Sequence, residues 1–175
     1  MYIELRKFKK SNIDKIEEWF VTNNEWMNWD APWEWTDYIF DKEEQLSKRL
    51  EKTSHSPCFE YEIFYNTEHV GWISVYYMTD DYKWNDLNVT NKIAIGIDIP
   101  ETKYRGLGIG TQAYKLYLDY FKSLGYNEIY TQTWSGNIPM INLALSSGFK
   151  EINRFKNIRK VKDNYFDALT FKINL

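Results

Sequence analysis

From Tyr104 to Thr111 the chain reads Tyr-Arg-Gly-Leu-Gly-Ile-Gly-Thr, a spacing with clear chemical potential. Three alternate glycines, Gly106, Gly108 and Gly110, let the backbone turn tightly with no Cβ in the way. Successive N–H groups can then face one concavity. A helix starting there adds unpaired N–H groups and a partial positive charge. Together these features bind phosphate. A P-loop would need Gly-Lys-Ser/Thr, which Gly110-Thr111-Gln112 does not supply. Gly108-x-Gly110-x-x-Ala113 matches one form of the dinucleotide fingerprint, but Gly108 comes nine positions after Ile99, where the preceding strand ends. The fingerprint turn follows its strand directly. The next strand also ends in Thr131-Gln132-Thr133-Trp134 rather than in a ribose-binding acid.

The elements around this loop follow from periodicity. Residues 2–8 alternate as a strand, and Ser11-Asn12 offers a cap for a helix carrying Ile13, Ile16, Trp19 and Phe20. A Trp-rich loop runs over 26–33, and Thr36 or Asp37 is placed to cap a second helix with Ile39, Phe40, Leu46 and Leu50. Strands are expected over 58–65 and 69–78 around an Asn66-Thr67-Glu68 turn, with a polar loop over 80–90 and a strictly alternating strand over 92–99, stopped by Pro100. A helix follows over 109–124 with Gly125 as its terminator, then a strand over 128–134 and a short helix over 138–147 with Pro139 in its first turn. Two last strands, 152–161 and 165–173, flank the turn 162–164. The order is β-α-α-β-β-β-α-β-α-β-β, without repeat or linker, and reads as one mixed α/β domain over 1–175.

Composition narrows the function classes. Of 175 residues, 43% are hydrophobic and 27% charged, the balance of a globular chain. A net charge of -3 argues against a nucleic-acid partner, which selects a basic face. Cys58 is the single cysteine, so no intrachain disulfide forms, and His55 and His69 are the only histidines, so no Cys/His metal spacing exists and no metal is expected. Both histidines read as surface or edge residues. The opening residues lack the apolar stretch of a signal peptide, and no apolar run is long enough to span a membrane. The expectation is a soluble, cytoplasmic protein with no membrane partner. The 8 Trp, 14 Tyr and 10 Phe serve either ring packing or an aromatic ligand pocket.

Arg105-x-x-Gly108-x-Gly110 resembles the Q/R-x-x-G-x-G/A signature of the GNAT acetyltransferases. Ile95-Gly96-Ile97-Asp98-Ile99-Pro100 resembles that family's fourth strand, and Asn137 followed by Gly148-Phe149 resembles its Asn…Gly-Phe segment. The ending Asn164-Tyr165-Phe166-Asp167-Ala168-Leu169 is similar to the last strand of the branch containing ribosomal-protein and spermidine acetyltransferases. The likeness covers roughly 90–173 well, and the N-terminal half by element order. It implies a mostly antiparallel mixed sheet of about seven strands flanked by about four helices, with the strands at 92–99 and 128–134 splayed apart. It also implies acetyl-CoA as co-substrate, an N-acetyltransferase activity on a primary amine, and direct transfer in a ternary complex. Dimers are common in that family, so a homodimer is compatible.

The resemblance assigns roles by position. Amides of Gly106, Leu107, Gly108, Ile109, Gly110 and Thr111, with Arg105 beside them, would hold the diphosphate; backbone groups at Ile97, Asp98 and Ile99 would pair with the pantetheine arm like an added strand. Asn137 would contact the cofactor, cap its helix, or do both. Many members use a Tyr acid where this chain has Ala144, so Tyr130 or Tyr165 must replace it, or the thiolate leaves unaided. The base is Asp98, Glu101 or a water relay. Trp29, Asp30 and Trp33 fall where the family covers its acceptor site; rings and carboxylate suit an ammonium group, although the same rings could simply pack the helices onto the sheet. The acceptor is a polyamine, an aminoglycoside or a protein N-terminus. Ala144 also motivates a different class, a non-catalytic CoA-binding sensor or interaction module.

Overall fold

The computed structural model describes residues 2–85 and 87–175. Its strands are β1 (Ile3–Arg6), β2 (Glu60–Tyr65), β3 (Glu68–Met78), β4 (Trp84–Asn85), β5 (Ile93–Asp98), β6 (Glu128–Trp134), β7 (Lys150–Val161) and β8 (Asn164–Asn174). The helices are α1 (Ile13–Val21), α2 (Lys42–Ser54), α3 (Ile109–Ser123) and α4 (Ile138–Ser146). Among the described residues all eight strands join one sheet in the order β1-β2-β3-β5-β6-β8-β7, with the two-residue β4 paired to β3. The β5–β6 pair is parallel and the others are antiparallel. The strand β4 lies in the segment expected as loop; Asp86 of that segment is outside the described residues.

Cross-strand register sorts the side chains into two faces. Ile73↔Ile97, Val75↔Ile95 and Thr131↔Phe171 share one face. This face carries the main core, which α3 covers with Ile109, Ala113, Tyr114, Tyr117, Leu118 and Phe121, an apolar stripe at helical spacing. Gly125 ends α3 at φ 87°, where Tyr126 N–H reaches back to Phe121 C=O at 3.2 Å and the two rings meet at 5.1 Å. Helix α4 packs beside it, with Ala144 fully buried.

The opposite face carries Glu62↔Trp72↔Asp98, Glu60↔Ser74↔Gly96 and Tyr76↔Ala94↔Tyr130. Helices α1 and α2 lie on it: Trp19 packs at 5.8 Å from Trp72, and Arg49 is paired with Glu60 at 2.5 Å. Trp26, Trp35, Tyr38 and Phe40 gather round Phe20, so these rings have the packing role.

Two local expectations are corrected. Helix α2 starts at Lys42, with Asp41 accepting from Glu44 N–H at 2.9 Å, rather than at Thr36 or Asp37. His69 is neither a surface nor an edge residue. It sits on β3, 9% exposed, between Trp19 and Phe64 with ring centroids at 4.7 and 5.1 Å. His55 is exposed as expected.

Candidate active site

The loop entering α3 is held open by its glycines. Gly106 and Gly108 have φ of 73° and 78°, a region that costs other residues about 1–2 kcal/mol. A Cβ on Gly106 would meet open space within 4 Å, whereas one on Gly110 would lie 3.4 Å from Leu143, so Gly110 serves the close packing of α3 on α4. The first helical bond of α3 runs from Gln112 N–H to Gly108 C=O at 3.1 Å. Among the described residues, no backbone carbonyl accepts from the amides of residues 106–111. Ile109 points its side chain into the core, Leu107 is 48% exposed, and Thr111 is exposed. This row of free N–H groups at the start of a fifteen-residue helix is a ready anion cradle.

Arg105 is tied to protein groups at the end of β5 and to Glu25. Its guanidinium donates to Ile99 C=O at 2.8 Å, to Pro100 C=O at 2.6 Å and to Glu25 at 2.7 Å. It pins the loop to the end of β5 and to the segment before the Trp-rich loop. The Ile99 carbonyl is thereby taken.

Strands β5 and β6 share one ladder pair, Ala94↔Tyr130. At the next step the ladder is replaced by side chains. Thr131 Oγ1 donates to Ile95 C=O at 2.8 Å, and Tyr114 Oη lies 3.0 Å from Thr131 Oγ1 and 3.3 Å from the same carbonyl. Both hydroxyls are buried. Beyond this point the strands part. Strand alternation puts the N–H and C=O of Ile97 on the same edge as the Ile95 carbonyl, facing the gap. Gly96 and Asp98 turn the other way, toward β3.

The mouth of the gap is bordered by Asn137 and the Trp-rich loop. Asn137 Oδ1 accepts from Met140 N–H at 3.1 Å, so it caps α4; its Nδ2 donates to Trp29 C=O at 2.6 Å, and Trp134 Nε1 donates to the same carbonyl at 2.9 Å. Trp33 lies edge-on to Trp134 with ring centroids 6.3 Å apart. The side chain of Asn137 thus anchors the loop that carries Trp29, Asp30 and Trp33.

Asp98 is the last residue of β5, on the sheet face that α1 and α2 cover. Its side chain has no hydrogen-bond or ion-pair partner among the described residues, and burial, then the nearby Asp30 charge, raises its carboxyl well above the usual range. Asp30 is pushed up to about 6 by burial, against a hydrogen bond from Trp35 Nε1 at 3.2 Å, with Glu34 adding to the rise. Asp30 itself is exposed, and Asp98 is half-buried at the end of β5. Tyr76 lies on the same sheet face as Asp98: burial, then Tyr114 and Asp30, raises its hydroxyl, with Arg159 acting the other way, and Tyr76 Oη donates to Gln132 at 3.1 Å.

The other acid–base candidates are placed elsewhere. Burial would raise Glu101, but hydrogen bonds from Lys15, Lys103 and Trp19 prevail and hold it at about 2, so it is a poor proton acceptor. Tyr130 donates to Glu128 at 2.6 Å, on the closed side of the splay. Tyr165 is 61% exposed beside the β7–β8 turn. Sequence reasoning missed Tyr76, Thr131, Tyr114, Glu25 and Arg159. Alternation alone would have put Tyr76 on the Asp98 face once the β3–β5 register was known; the partners of Glu25 and Arg159 lie far away in sequence and left no signal.

Residues 3–150 match the family model described as an acetyltransferase (GNAT) domain. No curated protein matches the chain. Among solved structures, the chain is similar to RimL, a ribosomal alpha-N-protein acetyltransferase in complex with coenzyme A, with TM-score 0.79, 18% identity, and coverage of 99% of this chain and 94% of that one. It is similar to an N-acetyltransferase from Staphylococcus aureus, with TM-score 0.77, 17% identity and 99% of each chain covered. It is also similar to the microcin self-immunity acetyltransferase MccE in complex with acetyl-CoA and AMP, with TM-score 0.74, 16% identity, and coverage of 99% of this chain and 92% of that one.

Proposed function

The chain belongs to the GNAT acetyltransferase family, and on that premise we propose that it carries an acetyl group from acetyl-CoA directly to a primary amine in a ternary complex. One observation carries this reading: an uncapped row of amides at residues 106–111 stands beside the place where β5 and β6 part. The cradle suits a diphosphate, and the free edge of Ile97 suits an extended amide-bearing arm. Acetyl-CoA brings both, together with an acetyl group on a thioester. No group of three or more His, Cys, Asp or Glu among the described residues is placed to hold a metal ion.

The chain's own residues would then act as follows. Gly106 to Thr111 hold the diphosphate through N–H groups, with Arg105 fixing the loop rather than reaching the anion. The Ile97 N–H donates to the carbonyl oxygen as negative charge grows there. Asp30 draws the acceptor's ammonium group into the cleft, with Trp29 and Trp33 beside it. Asp98 takes a proton from that ammonium, so that a neutral amine attacks. With Ala144 in place of a hydroxyl, the thiolate leaves without a dedicated side-chain acid, which a thiol pKa of about 8.5 permits.

Release of free thiol from acetyl-CoA across a panel of primary amines tests the reading. Thiol release that depends on an amine supports it. Tight coenzyme binding with no release on any acceptor would instead point to a sensor module.

A further inference from the structure

Close to Tyr76, which both Asp30 and Arg159 influence, stand two donors that the protein does not use. The Arg159 guanidinium lies 4.6 Å above the Trp33 ring, and among the described residues Arg159 enters no ion pair or side-chain hydrogen bond. Trp33 Nε1 is enclosed and has no hydrogen-bond partner. An indole N–H donates only, and an unmet buried donor is costly. Two side chains from opposite ends of the sequence thus bring idle N–H groups together. Trp33 also meets Trp134, whose own N–H fixes the loop through Trp29 C=O. The same loop carries Asp30, two residues before Pro32. A cation-attracting point and an anion-attracting point therefore lie on one short loop and its neighbour on β7.

Resting on the acyl-transfer reading, we propose that the acceptor is zwitterionic: its amine enters between Asp30 and Asp98, and a carboxylate of the same molecule is received by Arg159 and the Trp33 N–H. An amino acid or a peptide with an acidic group close to its N-terminus has this chemistry. A polyamine has the opposite, since Arg159 repels a second ammonium. Arg159 suits the role because its planar fork takes a carboxylate through paired hydrogen bonds while its face stays on the indole.

The test is amine-dependent thiol release from acetyl-CoA with three acceptors: glycylglycine, its C-terminal amide, and spermidine. In the native enzyme, kcat/KM for glycylglycine should exceed that for the amide about tenfold or more, mainly through KM. Arg159→Gln should remove that preference while leaving the rate on the amide within about twofold. Arg159→Glu should turn the preference toward spermidine. Trp33→Phe, which keeps the ring and deletes the N–H, should lose part of the preference. Equal rates on acid and amide, or an Arg159→Gln enzyme that still prefers the acid, overturn the anionic subsite and leave acyl transfer standing. Release with spermidine alone does the same. Absence of release with all three, with acetyl-CoA still bound, overturns the acyl-transfer reading and this proposal with it.

Discussion

Asp98 and Gly108 carry the sharpest expectations among single residues. Asp98 must be ionised to take a proton, and its carboxyl is raised by burial and then by Asp30. The acidic limb of the kcat profile should therefore lie above the usual carboxylate range, with activity rising as pH passes the Asp98 pKa. Asp98→Asn should lower kcat by about 100-fold and abolish that limb, with KM for acetyl-CoA little changed. A variant of near-native kcat would remove Asp98 from the base role. Gly108→Asp strains a left-handed residue and sets a negative charge among the cradle amides, so coenzyme A affinity measured by calorimetry should be lost. Unchanged affinity would refute the loop assignment. The glycine loop was legible in sequence because positive φ is a property of one residue. The influence of Asp30 on Asp98 was not, because it depends on where the Trp-rich loop folds.

Elements explain where local reading succeeded and where it failed. Strands β5 and β6 announce themselves by alternation, and α3 by its apolar stripe. The start of α2 was misplaced because Trp35, Tyr38 and Phe40 are apolar for a tertiary reason, the cluster on Phe20, and not as turns of a helix. Asn12 stands where a cap would, yet its Nδ2 goes to Glu62 at 2.6 Å, a partner fifty positions away. The splay is likewise set by partners distant in sequence. With one backbone pair between β5 and β6, the Thr131 hydroxyl supplies the next rung. Thr131→Val keeps the shape and removes the bond, leaving the Ile95 carbonyl with Tyr114 alone at 3.3 Å. We expect KM for acetyl-CoA to rise roughly 3- to 10-fold at near-constant kcat, and Thr131→Ser to restore it. A loss of thermal stability without a KM change would confine Thr131 to packing.

On the scale of the whole molecule, the buried pair under α1 sets how stability follows pH. Glu62 is fully buried, accepts from Asn12, and has its Oε1 unpartnered 3.6 Å from His69 Nε2. Burial pushes Glu62 up to about 7, against Asn12 and Arg49, with Glu60 adding to the rise and Lys9 opposing it. Burial pushes His69 down to about 3, also helped by Arg49 and Lys15 and opposed by its Gly71 hydrogen bond. Both shifts favour neutral forms, so the contact is not an ion pair. The signs follow from proton counts. His69 binds fewer protons folded than unfolded, so its contribution to stability rises from about pH 3 to 6.5. Glu62 binds more protons folded, so its contribution falls from about pH 4.5 to 7. The two oppose each other between about 4.5 and 6.5, where the pair leaves stability nearly flat. Above that window only the Glu62 loss continues. Its full span is on the order of 3 kcal/mol, a large part of the stability of a typical domain. Glu62→Gln keeps an acceptor for Asn12 and removes the ionisation. Its urea midpoint should therefore keep climbing to about pH 6.5 and then hold, exceeding the native protein most at pH 8. Parallel pH curves for the two proteins would mean that Glu62 ionises as freely folded as unfolded, and that the polar pocket beneath α1 is open to water.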